Sequence, residues 1–189
     1  MANILYFNLT NVKEAKGGRP QTVMFDGADV KPNGLIVDLG ATMEKPDKDR
    51  ELDHVHAITE AKGAAEVIGK WVIAAPEIVA QQYRIIDDKA WQFALEPNET
   101  YAAYQLQKYD RLEYSEAYFK PNLISTLKVG DHVKIAADGK FEKGTGASDS
   151  AFRVVTILDV TKPVVLEANK KDIAFIPQLG KMVKLEVVR

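Results

Sequence analysis

Apolar and polar positions alternate through residues 127–135, where Leu127, Val129, Val133 and Ile135 share one parity and only Asp131 interrupts the set. A period of two is the mark of a strand with one buried face. An Asp138-Gly139 turn follows, and then two apolar-rich segments at residues 152–160 and 183–188. Short strands separated by turn residues in this way predict a small antiparallel barrel or sandwich.

Upstream the same reading predicts strands at residues 4–9, 22–25, 35–40, 55–58, 71–75 and 91–95. Lys31-Pro32-Asn33-Gly34 reads as a turn, because Asn-Gly supplies the positive backbone angles that tight turns need. Pro76-Glu77 is suited to open one short helical turn over residues 78–82. Residues 101–106 and 111–118 are rich in tyrosine and read as strands around Lys108-Tyr109-Asp110, against a helical alternative that Ala102, Ala103, Gln105 and Gln107 allow. Residues 13–20, with Gly17-Gly18 and Pro20, read as a loop, and the charged residues 43–53 as a surface loop.

The expected fold class is therefore mainly β with one or two short helices. Residues 1–20 form an extended arm, 21–120 an N-terminal β-rich domain, and 121–189 a small C-terminal antiparallel β-barrel, with the boundary at Lys120-Pro121-Asn122. A chain of 189 residues accommodates one full core or two compact domains. At 46% hydrophobic and 28% charged residues the composition is that of a globular protein. No repeat of fixed period marks a solenoid.

Charge is split unevenly. Residues 1–120 carry a net charge of -5 and residues 121–189 one of +3. That excess is small beside the clustered basic stripe of a nucleic-acid binder. The absence of cysteine removes disulfides, thiolate nucleophiles and Cys-based metal sites. The first residues lack the basic and long apolar regions of a signal peptide, and no stretch has the length of a membrane span, so a soluble protein made in the cytoplasm is expected.

The search for chemistry returns weak candidates. His54 and His56, two apart on a strand, would lie about 7 Å from each other on one side, but a metal site needs a third ligand, with Asp49, Glu51 and Asp53 the nearest carboxylates and His132 far off in sequence. Gly144-Thr145-Gly146 resembles a fragment of a phosphate loop without its lysine or its following helix. Ser125, Ser148 and Ser150 lack a Gly-x-Ser-x-Gly elbow, and the adjacent Asp87 and Asp88 face opposite ways on a strand. Basic and aromatic residues interleave at Lys108, Tyr109, Arg111, Tyr114, Tyr118, Phe119 and Lys120 as in single-strand binders, but Asp110, Glu113 and Glu116 oppose phosphate. No catalytic, cofactor-binding or metal residue is assigned, and the chain is expected not to be an enzyme.

Taken in order, Trp71-Val72-Ile73-Ala74-Ala75-Pro76-Glu77, Tyr101-Ala102-Ala103-Tyr104-Gln105-Leu106 with Asp110-Arg111-Leu112-Glu113-Tyr114, Leu127-Lys128-Val129-Gly130-Asp131-His132-Val133 and Phe152-Arg153-Val154-Val155 resemble the layout of tailed-bacteriophage virion structural proteins, specifically head proteins of the capsid decoration or cement type. Tyr109-Asp110 stands where that layout has a Gly-Asp turn. The resemblance implies a protein without cofactor or catalytic residues, located in the virion. It implies binding to the major capsid protein lattice, with other virion subunits or further copies of itself as partners. A strand within residues 2–20 adding to a neighbour's sheet edge would suit that role. The alternatives are a connector or tail component, or a small-barrel nucleic-acid-binding module using Lys134, Lys140, Lys143 and Arg153.

Overall fold

The structure, a computed structural model, describes residues 7–12, 20–25, 28–43, 54–74, 94–168 and 172–189. The fold is mainly β, and its strands form two large assemblies. The first is a closed barrel of β2 (Gln21–Met24), β4 (Ile36–Thr42), β5 (Val55–Glu60), β6 (Trp71–Ile73) and β8 (Tyr101–Gln105), in the order β2-β5-β4-β6-β8. All its pairings are antiparallel except β2 with β5. A two-stranded ladder of β3 (Lys31–Pro32) and β7 (Ala94–Leu95) accompanies it.

The second assembly is a six-stranded sheet, order β1-β9-β13-β12-β10-β11. Its members are β1 (Phe7–Asn11), β9 (Arg111–Ser115), β10 (His132–Ile135), β11 (Phe141–Lys143), β12 (Phe152–Ala168) and β13 (Asp172–Val187). The sheet curls back on itself, since Phe119, just past β9 and a 3-10 turn at Glu116–Tyr118, bridges Phe141 of β11. The Lys120 N–H donates to the Phe141 carbonyl at 2.9 Å.

Burial explains why several strands read as unbroken apolar runs. Val37, Ile73 and Ala103 point into the barrel with Val23, Phe25 and Leu95, whereas their neighbours Ile36, Val72 and Tyr104 pack outward against the core of the six-stranded sheet. These strands are covered on both faces, so no polar alternation is left in them. The sheet contributes Leu112, Tyr114, Val133, Phe141, Phe152, Val154, Val183 and Leu185 to that shared core. Rings meet edge to face at its centre: Tyr114 lies 4.8 Å and Phe152 5.5 Å from Phe141, centroid to centroid.

The closed barrel is built from residues 21–105, whereas the C-terminal barrel expected over 121–189 is an open curled sheet joined across its seam by the Phe119 bridge. Sheet membership changes at residues 106–110 and not at Lys120-Pro121-Asn122, because β9 pairs with β13 rather than forming a hairpin with β8. Part of the expected N-terminal arm is a strand of this chain's own sheet, with Phe7 opposite Tyr114 and Leu9 opposite Leu112.

The alternating run at 127–135 is also only half strand. Residues 123–126 form a short helix, α1 (Leu123–Thr126), entered through Asn122 at φ 63°. A turn follows in which Asp131 N–H donates to Lys128 O at 3.0 Å and the Asp131 carboxylate accepts the Lys128 N–H at 2.9 Å. Gly130 takes φ 90° there and Val129 is exposed, so pairing begins only at His132. The segments 76–82, 44–53 and 13–19, and the residues Asp87 and Asp88, lie outside the described residues.

Candidate interaction surface

The pairing of β12 with β13 is the longest in the chain, running from Phe152↔Val187 to Ala168↔Asp172. At its root the ladder is flanked by β10 on one side and β9 on the other, and Val155 is the extra residue of a bulge between Val154 and Thr156. The bulge switches the inward parity of β12, from Phe152 and Val154 before it to Ile157, which packs against the core, after it. β9 pairs with β13 as far as Met182. From Asp159↔Lys181 outward the ladder has no third strand among the described residues.

At about 3.4 Å per residue this two-stranded arm is roughly 30 Å long. The middle of the arm is apolar on both strands: Val164 is opposite Ile176, Val165 opposite Phe175, and Leu166 opposite Ala174. Pro163 is opposite Pro177. Proline has no N–H for the ladder, so this pair fits only where both missing donors face outward. Both free edges then lose a donor at the same level, which opposes strand addition along the arm.

A groove of about 410 Å³ opens near the root of the arm, lined among others by Phe119, Lys120, Ile124, Lys140 and Lys181. Lys120 is paired with Glu142, which holds the lysine above and the carboxyl below their ordinary pKa values. Leu158, at the start of the arm, is 44% exposed. A smaller crevice of about 40 Å³ lies where Gly34 and Leu35 of the barrel meet Tyr114, Tyr118 and Phe141 of the sheet. It has room for water and not for an organic substrate.

The sequence candidates for chemistry are not brought together. His54 sits on the turn before β5, and His56 on β5 has ring Nδ1 3.1 Å from Gly40 O. Among the described residues no group of three or more His, Asp and Glu gathers to hold a metal. Ser125 Oγ donates to Asn122 O at 2.7 Å, and the buried Ser150 Oγ to Asp149 Oδ1 at 2.9 Å. Ser148 is exposed, and its carbonyl accepts from Arg189.

In the Gly144-Thr145-Gly146 loop the backbone donors that would face a phosphate already face Asp149. Its carboxylate accepts Thr145 N–H at 3.1 Å, Thr145 Oγ1–H at 2.9 Å and Gly146 N–H at 3.0 Å. These hydrogen bonds, led by the one from the Thr145 backbone, hold the Asp149 carboxyl far below the usual carboxylate range. A Cβ at Gly144 would lie 1.7 Å from Ser150 Oγ, so a side chain there requires that hydroxyl to shift.

Three of the four cations of the small-barrel alternative have acidic partners. Lys134 lies 3.6 Å from Glu142 and 3.7 Å from Asp149, Lys143 2.8 Å from Asp131, and Arg153 2.5 Å from Glu186. Lys140 lines the groove. Sequence reasoning missed the arm altogether, although two short apolar runs, Pro163-Val164-Val165-Leu166 and Ile173-Ala174-Phe175-Ile176, mark its two strands in the chain. Among the described residues no helix is long and apolar enough to cross a membrane. Comparison with protein families, curated proteins and solved structures finds no match to this chain.

Proposed function

We propose that this chain is a non-enzymatic structural protein of a virion, of the decoration type, which attaches to a major capsid protein lattice through the β12–β13 arm. The observation that carries the reading is the ladder from Asp159↔Lys181 to Ala168↔Asp172, which has an apolar middle at residues 163–166 and 173–177 and no third strand among the described residues. An isolated two-stranded ladder is marginal in water. A partner surface laid on the ladder adds apolar burial, at roughly 25 cal/mol per Å².

The role does not require a tight single contact. Many copies on a fixed lattice add modest affinities into a strong attachment. The paired prolines fit the same role, because a protein displayed at high local density has to avoid edge-to-edge pairing between arms.

The test is binding to capsid particles stripped of the protein, read by co-sedimentation. The wild-type chain is compared with one in which an Asn-Gly turn replaces residues 159–181 and joins Leu158 to Met182. Attachment of the wild type and loss of attachment in the folded armless variant support the reading. Equal attachment by both removes the arm from the interface, and failure of the wild type to attach removes the virion role.

A further inference from the structure

The middle of the β12–β13 arm is apolar on both of its faces. Residues opposite one another in an antiparallel pair share a face, and successive residues along a strand change face. The register from Asp159↔Lys181 to Ala168↔Asp172 therefore assigns Val164, Leu166, Ala174 and Ile176 to one face, and Pro163, Val165, Phe175 and Pro177 to the other. A hairpin that lies on a core has one apolar face and one polar face. Here neither face of the middle is polar.

The root of the arm marks the same two faces. Leu158, which shares the parity of Val164, is 44% exposed. Lys181, which shares the face of Val165, lines the groove of about 410 Å³ together with Phe119 and Ile124. An exposed leucine thus lies on the first face, and a groove opens on the second.

The apolar band is short, and charge follows it. It takes residues 163–166 of β12 and 173–177 of β13, about 14–17 Å at 3.4 Å per residue. A strand that spans a bilayer needs about 9–11 residues. Beyond the band the sequence has Glu167, Lys170, Lys171 and Asp172, charges that a lipid surface would have to take in first. A second arm laid face to face would cover one side and leave the other in water. The paired prolines, Pro163 opposite Pro177, oppose pairing along the edges.

We infer that the arm is taken up between two apolar walls of its protein partner, so that residues 163–166 and 173–177 are covered on both faces and the charged residues beyond them meet water or polar surface. The inference rests on the capsid reading and deepens it by naming the shape of the receiving site: a slot, and not the flat face of one subunit. A slot formed by two neighbouring lattice subunits lets one arm hold both together.

The chain contains no cysteine, so one introduced thiol carries a polarity-sensitive fluorophore without background. Val164→Cys and Val165→Cys put the label on one face or the other. When capsid particles stripped of the protein are added, both labels should shift their emission to the blue. Two pairs of substitutions give a second reading, Val164→Thr with Ile176→Thr and Val165→Thr with Phe175→Thr, since threonine keeps the strand preference of the ladder. Each pair should weaken attachment about tenfold or more. A shift of one label only, or weakening by one pair only, means docking on a flat surface and overturns the inference while the capsid reading stands. Failure of the wild-type chain to attach overturns both. A blue shift in the concentrated protein without particles, or with phosphatidylglycerol vesicles, assigns the arm to a second copy or to lipid and overturns the inference as well.

Discussion

Two residues carry the clearest local consequences. Tyr109 takes φ 74°, a left-handed conformation that bulky side chains avoid, in the turn between β8 and β9. The turn is fixed by the Tyr109 N–H to Val187 O at 2.8 Å and the Gln107 N–H to the Asp110 carboxylate at 2.8 Å. Its ring is 62% exposed and gains little from burial. In ordinary backbone glycine is less stable than alanine by about 0.5–1 kcal/mol. At position 109 the sign should invert, with Tyr109→Gly more stable than Tyr109→Ala by about 1 kcal/mol, because only glycine relieves the strain. Urea denaturation of the two variants decides it, and a more stable alanine variant would show that the turn is not held in this conformation.

Glu186 is the second. It is 3% exposed on β13 and lies between Arg111 of β9 and Arg153 of β12, its register partners on either side. Burial pushes its carboxyl up, but the hydrogen bonds from Arg111 at 3.0 Å and from Arg153 at 2.5 Å outweigh this, and the pKa is lowered. A carboxyl lowered on folding contributes stability that is present above its unfolded value and lost as pH falls through its folded value. Glu186→Gln should therefore cost about 1–2 kcal/mol at pH 7. The difference from wild type should shrink as pH drops below the ordinary value of 4.5. A difference that stayed constant from pH 7 to pH 3 would mean that the charge of Glu186 contributes nothing.

Among the elements, the arm makes the sharpest claim. Amides at residues 161–167 and 173–179 belong to a ladder without a third strand, whereas those at 183–187 lie between β9 and β12. Hydrogen exchange should be fast in the first set and slow in the second. If the arm is the docking element, particle binding should slow exchange in the first set and leave the second unchanged. Uniform slow exchange in the free protein would mean that something already covers the arm. Strand identity in this chain was legible where one face is apolar and punctuated by turns, as at 132–135, 152–158 and 183–187. Leu127 to Asp131 misled because Val129-Gly130 has the right parity for a strand while the Asp131 carboxylate binds the Lys128 N–H and makes a turn. Residues 36–37 and 72–73 could be read as strands but not assigned to a sheet, since neighbouring side chains serve two cores. Pairing partners were out of reach: nothing local in Phe7–Asn11 specifies β9, and that choice is made by an edge formed from the far end of the chain. The candidate surface was illegible for a related reason, because apolar residues in a two-stranded ladder and in a core strand look alike in sequence.

For the molecule as a whole, the question is whether the barrel and the six-stranded sheet are separate stability units. The shared core takes Ile36, Val67 and Val72 from the barrel half and Leu112, Tyr114 and Leu185 from the sheet. Hydrogen bonds cross between them: Tyr114 Oη–H donates to Gly34 O at 2.9 Å, Tyr118 Oη–H to Asn33 O at 2.5 Å, Gly63 N–H to Ala136 O at 3.1 Å and Val67 N–H to Arg189 O at 2.8 Å. Separating the halves would expose the outer faces of β4 and β6 and leave the buried hydroxyls of two tyrosines without these acceptors, a cost of about 1–3 kcal/mol for each unsatisfied group before any apolar area is counted. Against a total stability of roughly 5–15 kcal/mol, that coupling is large enough to make unfolding a single event. Both tryptophans, Trp71 and Trp91, precede the change of sheet membership at 106–110, so their fluorescence reports on the N-terminal half while far-UV circular dichroism reports on all strands. The two signals should share one midpoint in urea. Tyr118→Phe, which removes the hydrogen bond from the Tyr118 hydroxyl to the Asn33 carbonyl, should lower that common midpoint by the equivalent of about 1 kcal/mol without separating the curves. A fluorescence transition that departs from the circular dichroism transition, in the wild type or in Tyr118→Phe, would show that the barrel stands without the sheet.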